Sequence, residues 1–408
     1  MAELHNTIER VKGFRAAGVH CGIKKDNVLD FALIVADAPC TAAGVFTTNQ
    51  VKAAPVLLDQ EHLKKSGGRI RAIAMNAGVA NACTGAQGMA NARETARYVA
   101  SKIGCAEHEV LVLSTGVIGV QLPMDKIKQG VDLALAKLGD DWESTARAIM
   151  TTDTKPKLTS ITTGLSAGQS AYTVAGISKG AGMIAPNMAT MLGILLTDAS
   201  VEAEDAQSLL KNAVDESFNR ITVDGDMSTN DTVLLLASGR AETPLDVPEN
   251  RVKFEFTLDE VSAYLAKAIV LDAEGASKFV RIHVTGAPDN DAARCIADAI
   301  GTSSLVKTAF FGSDPNWGRI IAAAGRAGVP VNPDTMQLWI STQTSDASPL
   351  QLVRDGMGAD YLEEDAAAIM AQDAFTVALK CGDGSGRAEV WTCDLSHDYV
   401  SINAHYRT

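Results

Sequence analysis

A chain of 408 residues with 46% hydrophobic residues is long enough to bury a large core. Its formal charge of −13 and pI near 5.0 argue against nucleic acid or an anionic membrane as partner, since both require a basic face, and leave small metabolites as the expected partners. Seven dispersed cysteines with no CxxC or Cys/His spacing read as reduced core thiols, not as a disulfide framework or metal site.

The N-terminus, Met-Ala-Glu-Leu-His-Asn, lacks a basic region followed by an apolar stretch, so the expected location is the cytoplasm. Val28 to Val35 and Ala43 to Thr47 are apolar runs that predict two strands, with Asp-Ala-Pro-Cys40 and Gly44 as turn signals. Arg69 to Asn76 is a third. Apolar residues at 92, 95, 96, 99 and 103 predict a helix over Asn91 to Ile103, capped by Gly104. Glu109 to Leu113 predicts a strand running into Ser114-Thr115-Gly116, and Pro123 to Leu138 a helix ended by Gly139.

Leu158 to Thr163 and Ala171 to Ile177 predict strands around Gly164 to Ser170, and Met191 to Leu196 is a dense apolar run that predicts a buried strand. Ser200 is placed to cap a helix carrying Glu202 and Glu204 in its first turn, with Leu209, Leu210, Ala213, Val214 and Phe218 on one face. Further on, Asp231 to Ala237 and Phe279 to Val284 read as strands, and Asp289 to Ile300, Ser304 to Phe311 and Asn316 to Arg326 as helices. Phe375 to Cys381 and Arg387 to Asp394 flank Gly-Asp-Gly-Ser-Gly386, a hairpin signal. With no repeat, low-complexity tract or long linker, the pattern predicts a mixed α/β protein, layered sheets flanked by helices, without a readable domain boundary.

Several motifs match by spacing alone. Gly164-Leu-Ser166-Ala-Gly168 fits a nucleophile elbow, but an elbow joins a strand to a helix and Ala171 to Ala175 is strand-like. Gly180-Ala-Gly182-Met-Ile-Ala185 has dinucleotide-loop spacing, yet Pro186 stands where the phosphate-binding helix should continue. Asp224-Gly-Asp226 begins like a calcium loop but has Thr229 and Leu235 at the sixth and twelfth positions, so a polar turn is expected. The histidines have no paired metal-ligand spacing; neither a metal nor an organic cofactor is called for.

Chemistry concentrates in Gly176 to Ala199, which holds Lys179 in a glycine-rich loop, a turn at Pro186-Asn187 and the pair Ala189-Thr190 before the apolar run. A threonine opening a strand is ordinarily a structural β-branched residue. At an Ala-Thr junction, however, the hydroxyl can attack the preceding carbonyl and shift the acyl group from nitrogen to oxygen, after which water frees an amino terminus. That amine, with a pKa of about 7.7 to 8.0, is a base for the hydroxyl beside it. Ser114-Thr115-Gly116 offers a hydroxyl and a backbone N–H to a developing oxyanion, or is simply a strand-ending turn. Lys179 is suited to a substrate carboxylate and Glu274 to an ammonium group, unless they are a solvated loop lysine and an acidic turn.

Gly176 to Ala199, Ser114-Thr-Gly-Val-Ile-Gly119, Met150-Thr-Thr-Asp-Thr154, Asp272-Ala-Glu-Gly275 and Asn403 to Thr408 together resemble the ornithine acetyltransferase (glutamate N-acetyltransferase) family of arginine biosynthesis. These blocks follow the family's order from about residue 40 to the last residue. The resemblance implies the aminopeptidase/ornithine acetyltransferase fold and self-cleavage between Ala189 and Thr190. The parts 1–189 and 190–408 would then be intertwined α and β chains that assemble further into a heterotetramer. It also implies a nucleophile at Thr190, an oxyanion hole at Thr115 and Gly116, and substrate contacts from Lys179, Thr190, Glu274, Asn403, Thr408 and either Thr151 or Thr152. The activity it implies is acetyl transfer from N-acetylornithine to glutamate through an acetyl-threonine, with acetyl-coenzyme A a further donor in some members. Two alternatives stand beside it: an N-terminal-nucleophile aminopeptidase of similar fold, and an uncleaved scaffold protein.

Overall fold

The computed structural model describes residues 4–25, 27–163, 171–185, 191–241, 245, 247–343 and 348–404. In chain order its strands are β1 (Leu4–His5), β2 (Phe14–Val19), β3 (Phe31–Phe46), β4 (Arg69–Val79), β5 (Val110–Val117), β6 (Lys157–Thr163), β7 (Tyr172–Lys179), β8 (Leu192–Thr197), β9 (Ile221–Thr222), β10 (Thr232–Ala237), β11 (Phe279–Ala287), β12 (Gln337–Thr342), β13 (Leu350–Arg354), β14 (Met357–Gly358), β15 (Ala374–Lys380) and β16 (Gly386–Cys393). The helices are α1 (Ala54–Ser66), α2 (Gly85–Ile103), α3 (Met124–Lys137), α4 (Trp142–Ala148), α5 (Ala203–Asp215), α6 (Pro248–Leu271), α7 (Asn290–Gly301), α8 (Ser304–Phe311), α9 (Trp317–Gly325), α10 (Glu363–Met370) and α11 (His397–Ala404). Among the described residues no helix is long and apolar enough to cross a membrane.

The expected mixed α/β architecture is present as two compact units, each built on a mixed sheet. The first unit comprises Met1–Met183, Asn187–Asn219 and Met227–Ile269. Its sheet runs β1-β6-β7-β8-β10-β3-β4-β5, with β2 also paired to β3. Alternate residues of its strands go to separate apolar clusters: Ala32, Ile34, Ile73 and Leu111 to one, Leu33, Val35, Ala74 and Val112 to the other. With both faces covered, the strands read as unbroken apolar runs, which is why Met191 to Leu196 was legible. All six residues of β8 are buried, between antiparallel β7 and parallel β10.

The second unit comprises Ile184–Pro186, Arg220–Asp226 and Val270–Thr408, on a sheet ordered β14-β13-β12-β15-β11-β16-β9. The boundary at Ile269 falls inside α6, so no linker marks it in the sequence. Helix ends follow side-chain chemistry: Asp289 accepts from Ala292 N–H at the start of α7, and Asn316 from Arg319 N–H at the start of α9. Gly104 closes α2 in the left-handed conformation, as its position predicted.

Several expectations are corrected. The turn at Asp-Ala-Pro-Cys40 is a register shift within one 16-residue strand, whose first half pairs β2 and whose second half pairs β10. The helix expected from Ser200 begins at Ala203 behind Glu202, which makes no side-chain cap. The segments α1, α4, α6 and α10 were not anticipated. Of the seven free thiols, Cys83 and Cys295 are exposed, so not all are core residues.

The predicted hairpin is also corrected: β15 and β16 do not pair with each other, because β11 lies between them, parallel to β15 and antiparallel to β16. The intervening glycines carry the chain over the end of β11, where Gly384 N–H donates to the Gly286 carbonyl. A Cβ at Gly286 would stand 2.1 Å from the Gly382 carbonyl oxygen, so these glycines permit backbone contact and do not form a tight turn.

Candidate functional site

Thr115 and Gly116 close β5, where its parallel ladder with β4 becomes irregular opposite Gly78 and Val79. Gly116 has φ +127, and a Cβ there would meet the Gly78 carbonyl carbon at 2.3 Å. This strand end is tied down on the sides not used by the ladder. Ser114 Oγ donates to Asn76 Oδ1 at 2.6 Å, and Asn230 Nδ2 donates to the Ser114 and Ala80 carbonyls at 2.8 and 2.7 Å.

Lys179 is the last residue of β7, not a loop lysine, and only 3% exposed. It pairs with Leu192 across the ladder to β8, and its ammonium donates to Thr115 Oγ1 at 3.2 Å and Thr151 Oγ1 at 2.7 Å. Of the two threonines left open by the sequence, Thr151 is therefore the one that meets Lys179; Thr152 stands half-buried beside it.

Asp153 organises the underside of this cluster. Its carboxylate accepts from Thr151 N–H at 3.0 Å, Gly180 N–H at 2.7 Å and Lys157 Nζ at 2.6 Å. Burial alone would push this carboxyl up, but the charges of Lys179 and Lys157 and the Gly180 N–H prevail and hold it at about 2. Lys24 lies nearby, its ammonium on the carbonyls of Met150 and Leu29 at 2.6 and 3.0 Å. Burial pulls Lys24 down to about 8 against the attraction of Asp30, with Lys179 adding repulsion.

In the second unit, Glu274 and Asn403 come together: Asn403 Nδ2 donates to Glu274 Oε2 at 2.7 Å and to the Tyr399 carbonyl at 3.0 Å. The C-terminal stretch is helical over α11 as far as Ala404. Tyr399 OH donates to Asp224 Oδ2 at 3.0 Å, while Asp224 Oδ1 accepts from Ile184 N–H at 2.8 Å. Burial, followed by Asp224, pushes the Tyr399 hydroxyl well above its ordinary range. The calcium-like stretch is therefore a set of side-chain anchors. The strands flanking Gly164 to Ser170 pair antiparallel from Thr163 and Tyr172, in keeping with the strand-like reading of Ala171 to Ala175 that argued against an elbow.

Ala189, Thr190 and Thr408 lie outside the described residues. The residue after Thr190 is described: Met191 is buried, and its N–H donates to Asp231 Oδ1 at 2.9 Å. Asp153 and Asp231 were missed as site residues in the sequence. Asp231 had one signal, a carboxylate opening an otherwise apolar strand.

Comparison with known proteins bears on the whole chain. Residues 15–408 match the model of the ArgJ family. The arginine biosynthesis bifunctional protein ArgJ of Geobacter sulfurreducens is 50% identical over 403 residues, covering 98% of this chain and 100% of that protein. Its counterpart from Thermotoga neapolitana is 48% identical over 399 residues, covering 97% and 99%. Among solved structures, the ornithine acetyltransferase of Mycobacterium tuberculosis complexed with ornithine is 40% identical, with TM-score 0.42, over 46% of this chain and 98% of that one.

Proposed function

The chain belongs to the ArgJ family and is an acyltransferase of arginine biosynthesis, and from that premise we propose the course of its reaction. Thr190 attacks the acetyl carbonyl of N-acetylornithine, its freed α-amine taking the hydroxyl proton and passing it to the departing amine of ornithine. Glutamate then takes the acetyl group from the threonine ester by the reverse sequence. Thr115 O–H and Gly116 N–H stabilise the oxyanion in both halves. Lys179, Thr151 or Thr152, Glu274, Asn403 and Thr408 hold the substrate.

The proposal extends to self-cleavage between Ala189 and Thr190, a heterotetramer of the resulting chains, a cytoplasmic location, and acetyl-coenzyme A as a second donor. The relatives' description as bifunctional supports the last of these. The observation that carries the reaction is the position of Lys179. Its backbone pairs two residues beyond Thr190, at Leu192, and its side chain ends on Thr115, so the oxyanion residues are tied to the strand that follows the nucleophile.

Mass spectrometry of purified protein tests this directly. The 42.8 kDa chain should be replaced by two fragments, with an acetyl adduct on the fragment beginning at Thr190 after quenching with N-acetylornithine alone. Thr190→Ala should remain one inactive chain. Active protein that stays uncleaved would rule out the terminal-amine mechanism, and release of acetate without transfer to glutamate would favour the hydrolase.

A further inference from the structure

Lys24 brings a further ammonium to the cluster of Lys179 and Lys157, and the turn that carries it is firmly built. It lies in the connection between β2 and β3, where the fully buried carboxylate of Asp30 accepts the Cys21 N–H at 2.6 Å and the Lys24 N–H at 2.9 Å. The Asp30 carbonyl accepts the Ala77 N–H at 2.9 Å, which ties this turn to β4 just before Gly78. A Cβ on Gly78 would stand 3.6 Å from Lys24 Cγ, so the lysine stem passes the same glycine that Gly116 abuts.

From there the ammonium reaches the residues around Thr151. It donates to the carbonyls of Leu29 at 3.0 Å and Met150 at 2.6 Å. The Met150 carbonyl and the Thr151 N–H belong to one planar peptide, whose N–H is held by Asp153, while Thr151 Oγ1 accepts from Lys179. Two ammonium groups thus converge on one residue, Lys24 through the carbonyl before it and Lys179 through its hydroxyl. An ammonium has three N–H donors. Lys24 uses two of them, and the third has no acceptor among the described residues.

The charges gathered here do not balance. Burial does most to pull Lys24 down to about 8; Asp30 and Asp153 oppose it and Lys179 adds repulsion. Asp153 is already shared by Lys157, the Gly180 N–H and the Thr151 N–H. Asp231 also feels the charge of Lys179, but burial pushes its carboxyl well above the ordinary range, toward the neutral form. Lys24, Lys157 and Lys179 therefore face Asp30 and Asp153 with positive charge in excess, which an anion bound beside them would offset.

We propose that Lys24 is a further substrate-binding residue, which with Lys179 holds the α-carboxylate common to N-acetylornithine, ornithine and glutamate. The inference rests on the substrate-holding role given to Lys179 above. Because the same carboxylate enters in both half-reactions, one pair of cations serves both, and Lys24 bears on affinity for a carboxylate and not on the acetyl group that is transferred.

Ornithine and putrescine, the same diamine without its α-carboxylate, test this as inhibitors of the cut enzyme. Lys24→Gln keeps an N–H donor and removes the charge. It should raise the inhibition constant of ornithine by about ten- to a hundredfold, the worth of one charge-assisted hydrogen bond, and leave that of putrescine no higher than in wild type. Lys24→Arg, which restores the charge, should recover most of the loss. Equal weakening of both inhibitors, or none for ornithine, would reduce Lys24 to a tie on the Met150 carbonyl. Should Lys24→Gln not fold, labelling of wild type with an amine-reactive ester and peptide mass mapping decide: N-acetylglutamate, which has the carboxylate and no amine, should shield Lys24, and unchanged labelling overturns the inference. Lys179→Gln separates this from failure of the site reading. If it keeps the wild-type preference for ornithine over putrescine, the cluster is no carboxylate site; if it loses that preference while Lys24→Gln keeps it, only the role of Lys24 falls.

Discussion

Lys179 Nζ donates to Thr115 Oγ1 across 3.2 Å. An ammonium has no acceptor, so the threonine oxygen receives this bond and its own O–H is left to point elsewhere, toward a developing negative charge. If Lys179 acts through Thr115, Thr115→Val should lower kcat by about a hundredfold. Adding Lys179→Met to it should then cost little more than the worse single change. A double-mutant cycle in kcat checks this; losses that multiply would assign Lys179 an independent hold on substrate.

The backbone at Gly116 permits no side chain. Its added Cβ would lie 2.3 and 2.6 Å from the Gly78 carbonyl carbon and oxygen, with φ at +127, whereas Gly119 has φ +84 and nothing within 4 Å. Gly116→Ala should cost about 3 kcal/mol or more, because one backbone must move off another, and Gly119→Ala about 1 to 2 kcal/mol for its left-handed conformation alone. Urea unfolding of the two variants compares them, and equal losses would contradict the close approach of β4 and β5.

Asp153 should govern acid stability. Its carboxyl is held at about 2 against an ordinary 3.8, so its contribution is present above pH 4 and is lost as pH falls from there toward 2. The difference is worth about 2 kcal/mol. In denaturant titrations at successive pH values, the stability gap between wild type and Asp153→Asn should close across that interval. A gap that stays constant would mean that the carboxylate is not what the lysines stabilise.

Glu274 and Asn403 form one hydrogen-bonded pair 2.7 Å apart. A carboxylate so placed suits the δ-ammonium of acetylornithine better than the side-chain carboxylate of glutamate. Glu274→Gln should raise KM for acetylornithine by about ten- to a hundredfold, the worth of one charge-assisted hydrogen bond, and that for glutamate much less. Equal changes in the two half-reactions would make Glu274 a mere anchor for α11.

Local pattern made much of the fold legible. The buried run of β8, the capped helices α2 and α7 and the strand end at Thr115 each carry their signal within a few residues. The misread hairpin fails for the opposite reason: its glycine-rich loop resembles a turn, but the partner of both strands is β11, far earlier in the chain. Asp153 and Asp231 were passed over because a lone carboxylate in sequence looks like a turn residue. Their significance depends on Lys179 and the Met191 N–H, which strand order brings to them, and for Asp153 also on Lys157 four residues further along the chain.

The position of β8 and β10 within the first sheet has a kinetic consequence. Residues beyond 189 supply these two strands, while the strands on either side of them come from earlier residues; β8 makes six residue pairs with β7 and β10 makes six with β3. A chain cut before Thr190 would hold its halves together like interleaved fingers, and neither half alone could complete the sheet. Scission at that bond would therefore have to follow folding, and it would change the order of the reverse reaction. An intact Thr190→Ala chain can refold as a first-order process independent of concentration, whereas the cut protein, once denatured, must find its other half in solution. Its recovery should slow in proportion to dilution, which makes a single peptide bond the difference between a reversible thermometer and a one-way fuse.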